Sequence, residues 1–343
     1  MTNETSINDR LIGESPAFLQ ALDWVSKIAP LDKPVLVVGE RGTGKELIAA
    51  RIHYLSQRWD QEFIKLNCAA INDTLLETEL FGHEAGAFTG AQKRHSGRFE
   101  RAHGGTLFLD ELATTSSMVQ EKLLRVIEYG EYERVGGSKM MTADVRLIAA
   151  TNLDLPGLAN AGQFRQDLLD RLAFDVITLP PLRARQEDIL LLAEHFAVRM
   201  ATDLELDYFP GFTNAAVDTM HNYHWPGNVR ELKNAIERSL YRHERLSHPV
   251  DEIILDPFGS PYRPRAEVQK AVQANSEKAP PPTATATVEP LFPIDFRQQV
   301  QDFEVRQIEG ALNHCQYNQK KAAEALGVTY HQLRGYLKKY QLL

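Results

Sequence analysis

Val35-Leu36-Val37-Val38-Gly39-Glu40-Arg41-Gly42-Thr43-Gly44-Lys45-Glu46-Leu47-Ile48-Ala49-Ala50 is the stretch that decides the fold. Val35 to Val38 is a β-branched run of the kind that forms a buried strand, and Leu47 to His53 has the composition of a helix. Strand, glycine-rich turn, lysine, helix is the order of a phosphate-binding loop. Small residues let backbone N–H groups wrap a β-phosphate, and Lys45 neutralises the β/γ oxygens. The spacing alone recurs by chance; the strand and helix around it argue against a decorative loop. Gly39, Glu40, Arg41, Gly42, Thr43, Gly44, Lys45 and Glu46 are therefore candidate nucleotide-binding residues. Glu46 stands where Ser or Thr commonly ligates Mg²⁺, which puts direct side-chain ligation there in question.

Outward from this loop, composition bounds the answer. A chain of 343 residues has room for two or three domains, and 43% hydrophobic with 24% charged residues is ordinary for a globular protein. No apolar run approaches membrane-spanning length, and Met1 to Glu14 lacks the apolar core of a signal peptide. A cytoplasmic location without membrane insertion is expected. Cys68 and Cys315 lie far apart with no metal-like spacing. The net charge of −8 argues against a chain coated in nucleic acid but leaves room for a local basic patch. Pro16 to Ile28 has amphipathic helical spacing in Phe18, Leu22, Val25 and Ile28. Almost nothing precedes it, so no N-terminal sensory domain is expected.

Further strands follow. Phe63 to Asn67 ends in a polar residue, and ligands of open α/β sheets sit beyond strand carboxyl ends, so Asn67 either faces the nucleotide or caps the next turn. Trp59, in the polar loop Ser56 to Gln61, is either packed down or an exposed anchor for a partner. Phe81 to Ala91 mixes three glycines and three alanines with Phe88 and Thr89 and has no helical or strand period. It reads as an Ω-type loop or as a loop that reaches out to touch something. Thr106 to Glu111 is an apolar strand ending in two carboxylates: Asp110 suits Mg²⁺ held through water, and Glu111 suits orienting or deprotonating an attacking water. Val145 to Asn152 repeats the design with Thr151 and Asn152 at its end, and Val176 to Leu179 supplies a fifth strand. Strands alternating with helices predict a parallel sheet with helices on both faces.

Arg165 and Arg171 lie on a helix between the last two strands, either as ordinary surface partners or as fingers for a neighbouring subunit's site. Residues 183–245 read as helical, with Asn228 near a helix start and Arg230 in its first turn, where a cation opposes the macrodipole and wants an anion nearby. Eight of the 17 prolines fall between Pro257 and Pro293, which reads as a linker. Beyond it, Phe296 to Leu312 forms an amphipathic helix. Asn318 to Lys339 then has helix-turn-helix grammar, with Ala322, Ala323 and Leu326 inside, Gly327 at the turn, and Leu333 and Leu337 inside. Five cations (Lys320, Lys321, Arg334, Lys338, Lys339) face one carboxylate, Glu324, between residues 318 and 343. The plain alternative is a helical hairpin. Four parts are expected: an α/β nucleotide-binding subdomain at 1–180, a helical lid at 181–256, a linker at 257–293 and an all-α DNA-binding domain at 294–343.

Together, Gly39 to Glu46, Gly86 to Ala91, Leu107-Phe108-Leu109-Asp110-Glu111 and Trp225-Pro226-Gly227-Asn228-Val229-Arg230-Glu231-Leu232, in this order, resemble the AAA+ bacterial enhancer-binding proteins that activate sigma-54 RNA polymerase. The likeness covers about residues 11–245, with a Fis-like helix-turn-helix at 318–340. The resemblance implies a homo-hexameric ATPase using ATP and Mg²⁺ and remodelling the closed complex of sigma-54 RNA polymerase. The contact would be made by Gly86, Ala87, Phe88, Thr89, Gly90 and Ala91. It implies that Lys45 binds phosphates, Asp110 supports Mg²⁺, Glu111 activates water, and Asn67 switches Glu111 by a hydrogen bond. Thr151 and Asn152 match sensor I, Arg165 and Arg171 the trans-acting arginines, and Arg230 sensor II. Glu46 is shared with the family. Enhancer double-stranded DNA would be met by Lys320, Lys321, Thr329, Tyr330, His331, Arg334 and Lys338. Within the family, the shortness of the chain and the stretches Gln92-Lys93-Arg94-His95 and Tyr330-His331-Gln332 resemble the members that activate phage shock operons. The partner implied there is an inhibitory regulator of the phage shock protein A type, with Trp59 as its anchor. Two other classes compete: a different AAA+ motor (a helicase loader or unfoldase) tethered by its C-terminal helices, and a DNA-binding repressor that uses ATP only as a ligand. Gly86 to Ala91 speaks against the first, and the second carboxylate, Glu111, against the second.

Overall fold

The computed structural model describes residues 11–243, 247–260, 262–263, 296–315 and 318–340. They form two compact units, Met1–Pro261 and Tyr262–Leu343. Short 3₁₀ turns aside, the first unit runs α1 (Pro16–Ile28), β1 (Val35–Val38), α2 (Lys45–Tyr54), β2 (Phe63–Asn67), α3 (Asp73–Phe81), α4 (Arg98–Arg101) and β3 (Thr106–Asp110). It continues with α5 (Ser117–Tyr129), β4 (Glu131–Glu133), β5 (Met140–Thr142), β6 (Arg146–Thr151), α6 (Leu155–Asn160), α7 (Gln166–Leu172) and β7 (Val176–Thr178). Three helices close it, α8 (Gln186–Asp203), α9 (Asn214–Asn222) and α10 (Asn228–Tyr241).

The main sheet is parallel, in the order β2-β3-β6-β1-β7. After β1 the chain crosses to the far edge and returns strand by strand, then passes to the other side of β1. The strand order therefore switches beside β1, and the crevice at its carboxyl end is where such sheets bind ligands. Both faces of the central strands β1, β3 and β6 are covered, so these strands read as largely apolar runs, while the edge strands β2 and β7 are more exposed. Leu36, Leu107, Leu109, Leu147 and Ala149 point into the core shared with α3, α5 and α7. Val35, Val37, Phe108, Ile148 and Ala150 point the other way, onto α1 and α2. That alternation is the period of two of a pleated strand. Buried Arg146 opens β6 and donates to the carbonyls of Ala29 (2.6 Å) and Ile28 (3.1 Å), closing the C-terminus of α1, where a cation complements the helix dipole.

Helices α8 to α10 enclose a separate core around fully buried Trp225, whose indole N–H donates to the Met220 carbonyl at 2.8 Å. A clasp joins this lid to the segment that precedes α1. Asp188, fully buried, accepts from the backbone N–H groups of Glu14 (2.6 Å) and Ser15 (2.9 Å), the Ser15 hydroxyl (2.7 Å) and Arg185 (2.7 Å). Arg185 also donates to the Ile12 carbonyl and stacks over the Phe18 ring, 3.7 Å from its centre. Burial pushes the Asp188 pKa up, but the bonds from Ser15, Glu14 and Arg185 outweigh it and hold the carboxyl below its usual range.

The second unit holds α11 (Phe296–His314), α12 (Gln319–Ala325) and α13 (Tyr330–Lys339). Asn318 caps α12, and Thr329 with Gln332 forms a capping box at α13. Gly327 turns between them at φ +65°, and Ile308, Leu312, Ala322, Ala323, Leu333 and Leu337 fill the core. The expected α/β ATPase-type sheet, helical lid and C-terminal helix-turn-helix are all present. Residues 264–295, most of the expected linker, lie outside the described residues. Among the described residues no helix is long and apolar enough to cross a membrane.

The clasp carries a stability prediction. Asp188→Ala strips four donors of their acceptor in a buried site, so denaturant unfolding of the first unit should lose ~3–5 kcal/mol. Because the folded pKa is depressed, the wild-type clasp contributes fully above the ordinary carboxylate value of about 4 and fades as pH falls through the lower folded value. A mutant that unfolds with the wild type at neutral pH would contradict this.

Candidate functional site

The phosphate-binding loop begins where β1 stops. Gly42 and Gly44 take φ of +78° and +94°, a region that costs side-chain-bearing residues strain. At Gly42 space forbids a side chain as well, since a Cβ would lie 2.2 Å from the carbonyl oxygen of Gly227 in the lid. Helix α2 starts at Lys45, so its positive end points into the loop. The Lys45 ammonium is buried and donates to the carbonyls of Gly39 (2.9 Å) and Glu40 (3.3 Å). Burial pushes its pKa below the usual value; Asp110 and Glu111 pull it back up, and Arg230 and Arg41 push it down again. The Thr43 hydroxyl donates to the Glu40 carbonyl at 2.8 Å. Glu46 turns to Lys65 on β2, 2.9 Å away.

Across the crevice, Asp110 ends β3 and its carboxylate accepts from the Glu111 backbone N–H at 2.9 Å. Glu111 itself sits in the left-handed region, φ 54° and ψ 40°. Such a conformation at a non-glycine residue costs ~1–3 kcal/mol and persists only where the surroundings impose it. Asn67 is level with Asp110 in the sheet, and of its two expected roles the side-chain oxygen takes the cap, accepting from Ala69 N–H at 2.9 Å. The side chain that meets Glu111 is Asn152: with its amide oriented to satisfy both neighbours, the nitrogen lies 2.6 Å from Glu111 Oε2 and the oxygen accepts from Arg41 Nε at 3.3 Å. Thr151 is buried and its hydroxyl accepts from Leu153 N–H at 3.0 Å. Beneath the pair lies Cys68, whose thiol is pushed up to about 12 by burial and then by Asp110 and Glu111.

Arg41 to Glu46, Asp110 and Glu111 line one cleft of about 1330 Å³ that reaches Leu11 and Ile12 on one side and Leu192, Val229 and Arg230 of the lid on the other. The donors fit a nucleotide and a magnesium ion. Mg²⁺ prefers one or two carboxylates, phosphate oxygens and retained waters. Asp110 offers that carboxylate, while Glu46 is engaged by Lys65.

Two residues outside the predicted set tie the loop down. Arg183 grips the Glu40 carboxylate with two bonds, 2.9 and 2.5 Å, and Asn228 adds a third at 3.1 Å. The Arg183 bonds foremost, then that of Asn228, hold the Glu40 carboxyl down to about 2. Asn228 was visible in sequence only as a residue near a helix start. Arg183 carried no signal.

Arg165 and Arg171 stay outside this cleft. Arg165 pairs bidentately with Asp167 (3.0 and 2.7 Å), and Arg171 with Glu128 (2.7 Å), as exposed surface partners within one chain.

The Gly86 to Ala91 loop is braced. Gly86 N–H donates to Ala91 carbonyl at 2.7 Å, and Gly86 and Gly90 take φ of +84° and +106° with open space around them. Phe88 is 42% exposed, its ring edge against His83 at 5.0 Å. Below, His83 and His95 pair through their backbones. A hairpin, β4 with β5, supports the base: Gly136 leaves no room for a Cβ beside Ala87, and Arg134 bonds Glu84 and Glu100, each at 2.7 Å. The hairpin was not read from sequence, although Gly136-Gly137 after the alternating Glu131-Tyr132-Glu133 is a turn signal. Trp59 is 62% exposed, and beside it Arg58 is fastened to Asp32 and Asp144, both at 2.7 Å. In the second unit Arg334, Lys338, His331, Lys320 and Lys321 are exposed, Tyr330 is half-buried, and the Thr329 hydroxyl is spent on its helix cap.

Comparison with known proteins agrees with this geometry. The chain matches a sigma-54 interaction domain over residues 11–178, an AAA+ ATPase lid domain over 183–253 and a bacterial regulatory protein of the Fis family over 299–340. It is 58% identical over 338 residues to the Psp operon transcriptional activator of Escherichia coli K12, covering 97% of this chain and 98% of that protein. It is 44% identical over 319 residues to the transcriptional regulatory protein ZraR of Salmonella typhimurium, covering 93% of this chain and 66% of ZraR. Among solved structures it resembles NtrX from Brucella abortus in complex with ADP, with a TM-score of 0.67 and 31% identity over 97% of this chain and 70% of that one. NtrX in complex with ATP gives a TM-score of 0.66 over the same shares of the two chains.

The site predicts the behaviour of its second carboxylate. Glu111→Gln should keep ATP binding and lose turnover by about 10²–10⁴-fold, because an amide takes no proton from water. Direct ATP binding and steady-state hydrolysis measured on the same preparation check this. Hydrolysis at the wild-type rate would remove Glu111 from the chemistry.

Proposed function

The chain belongs to the family of sigma-54-dependent transcriptional activators, AAA+ ATPases that carry a Fis-type DNA-binding domain, and from that premise we propose how its residues divide the work. ATP binds between the Gly39 to Lys45 loop and the lid, with Lys45 on the β/γ-phosphates and Arg230 approaching from α10. Glu111, held by Asn152, orients the attacking water and takes its proton. Mg²⁺ held by Asp110 would neutralise charge on the phosphates when bound. Asn67 acts as a switch by exchanging its present cap bond for one to Glu111.

The active form is a homo-hexamer in which Arg165 and Arg171 leave their own carboxylates and enter the neighbouring site. Arg334 and Lys338 on α13, with His331 and Tyr330, meet enhancer DNA. The C-terminal cations Lys320 and Lys321 add phosphate contacts. The 58% identity to the Psp operon transcriptional activator over nearly the whole of both chains supports a phage shock operon as the target. It also supports control by a regulator of the phage shock protein A type, for which exposed Trp59 on a loop fastened by Arg58 is the natural anchor. Family membership leaves no ground for the helicase loader or unfoldase.

One observation carries the coupling. The Gly86 to Ala91 loop presents Phe88 and Thr89 to solvent on a base fixed by Arg134 and the hairpin, a rigid mount for a small-residue tip. Thr89→Ala should cost the fold no more than ~0.5 kcal/mol, as at other exposed positions, and leave ATP hydrolysis intact. Opening of a sigma-54 promoter by the polymerase should be lost, since an interface hydroxyl is worth ~1–3 kcal/mol. Phe88→Ala should behave alike. Two mutants that open the promoter at the wild-type rate would remove the loop from the coupling.

Trp59→Ala should keep ATPase activity and DNA binding while inhibition by the phage shock protein A-type regulator weakens about tenfold or more. Titrating that regulator against wild type and mutant measures it. Unchanged inhibition would place the regulator elsewhere.

A further inference from the structure

The geometry assigns Asn228 and Arg183 as positioning residues of the hydrolytic site: they fix Glu40 to Gly42 against the lid and, through Arg41 and Asn152, set the Glu111 carboxylate. Asn228 is the first residue of α10, fully buried and left-handed at φ 52°. Its amide joins three separate segments. The oxygen accepts from Leu182 N–H at 2.8 Å, and the nitrogen donates to the Arg41 carbonyl at 3.0 Å and to Glu40 Oε2 at 3.1 Å. Arg183, one residue past Leu182, closes the same carboxylate from the other side with two bonds. A planar fork on a carboxylate fixes direction as well as distance. Arg41, whose carbonyl Asn228 holds, turns its guanidinium to Asn152, and Asn152 in turn holds Glu111.

Neither Asn228 nor Arg183 lines the cleft. Their bonds reach the loop instead, Asn228 the Arg41 carbonyl and the Glu40 carboxylate, Arg183 that carboxylate alone. The alternative, plain structural glue, leaves the order of the contacts unexplained. Glycine would satisfy the left-handed backbone at 228 more easily than asparagine, so the side chain is there for its bonds. The same helix start carries Arg230 two residues on, so any shift of the lid moves the phosphate loop, Arg230 and the Glu111 support together. The inference rests on the assignment of Glu111 as the group that activates water.

The test uses the full-length chain, with kcat, KM for MgATP, direct ATP binding and melting temperature measured for each variant. Arg183→Ala alters a half-exposed side chain, and Asn228→Gly keeps the backbone conformation while deleting the amide, so both should fold. Each should lower kcat by about 10- to 100-fold, the scale of a misplaced catalytic group, with KM and ATP affinity changing far less. Arg183→Lys should recover part of the loss by restoring the charge. A wild-type kcat in Arg183→Ala, with only the melting temperature lowered, would overturn the assignment, as would a loss confined to ATP affinity. If Asn228→Gly does not fold, Arg183→Ala and Arg183→Lys decide alone. Wild-type turnover in Glu111→Gln would instead overturn the water-activating assignment itself, a result the Arg183 pair does not give.

Discussion

A phosphate cradle built from backbone N–H groups must be stiff, yet the glycines that open it contribute no side chains to stiffen it. That constraint governs the first unit. Gly42 needs both a positive φ and an absence of Cβ, because the lid backbone passes directly over it. The rigidity comes from outside: from Lys45 bonded back to Gly39, from α2 rising out of the loop, and from Asn228 and Arg183 reaching in from the lid side. Sheet and lid are in this sense one device, and the Asp188 clasp keeps the lid attached to the segment before α1.

The second demand is that hydrolysis be read elsewhere in the molecule. Glu111 is held in a left-handed conformation by the Asp110 carboxylate at its own N–H and by Asn152 at its tip. Asn67, on the neighbouring strand at the same level, is close in the sheet yet bonded to its own turn. The loop that presents Phe88 and Thr89 rests on a hairpin with two ion pairs beneath it. Glu111, the neighbouring amide and the braced loop all sit at the ends or crossovers of the same parallel sheet, which is the route the proposed coupling would take.

Much of this was legible in sequence. The strands at 35–38 and 106–110 declared themselves because both faces are buried and the apolar runs are continuous, whereas 63–67, an edge strand, was legible from Phe63, Ile64 and Leu66 alone. Asp110, Glu111, Thr151 and Asn152 stood out because polar residues at the ends of such runs have a crevice to face. What stayed hidden was contact between segments distant in the chain. Arg183 looks like any arginine until Glu40, 143 residues away, is folded against it. Asn228 was noticed only as a residue near a helix start, because the bonds that employ its amide depend on where Leu182 and Arg41 come to rest. The β4–β5 hairpin escaped because strands of three residues give too short an alternation, with Gly136-Gly137 as its sole local mark. Asn67 was open between cap and nucleotide contact, and the cap is what this state of the molecule holds.

In the proposed function, ATP hydrolysis in the first unit is converted into promoter opening by sigma-54 RNA polymerase. The most direct measurement follows open-complex formation on a phage shock promoter with purified chain, sigma-54 RNA polymerase and either ATP or a non-hydrolysable analogue. Opening is expected with ATP, none with the analogue, and none when the polymerase carries the housekeeping sigma factor instead. Equal opening with ATP and with the analogue would contradict it, because nucleotide binding alone would then suffice and Glu111, with everything that positions it, would have no part in the work.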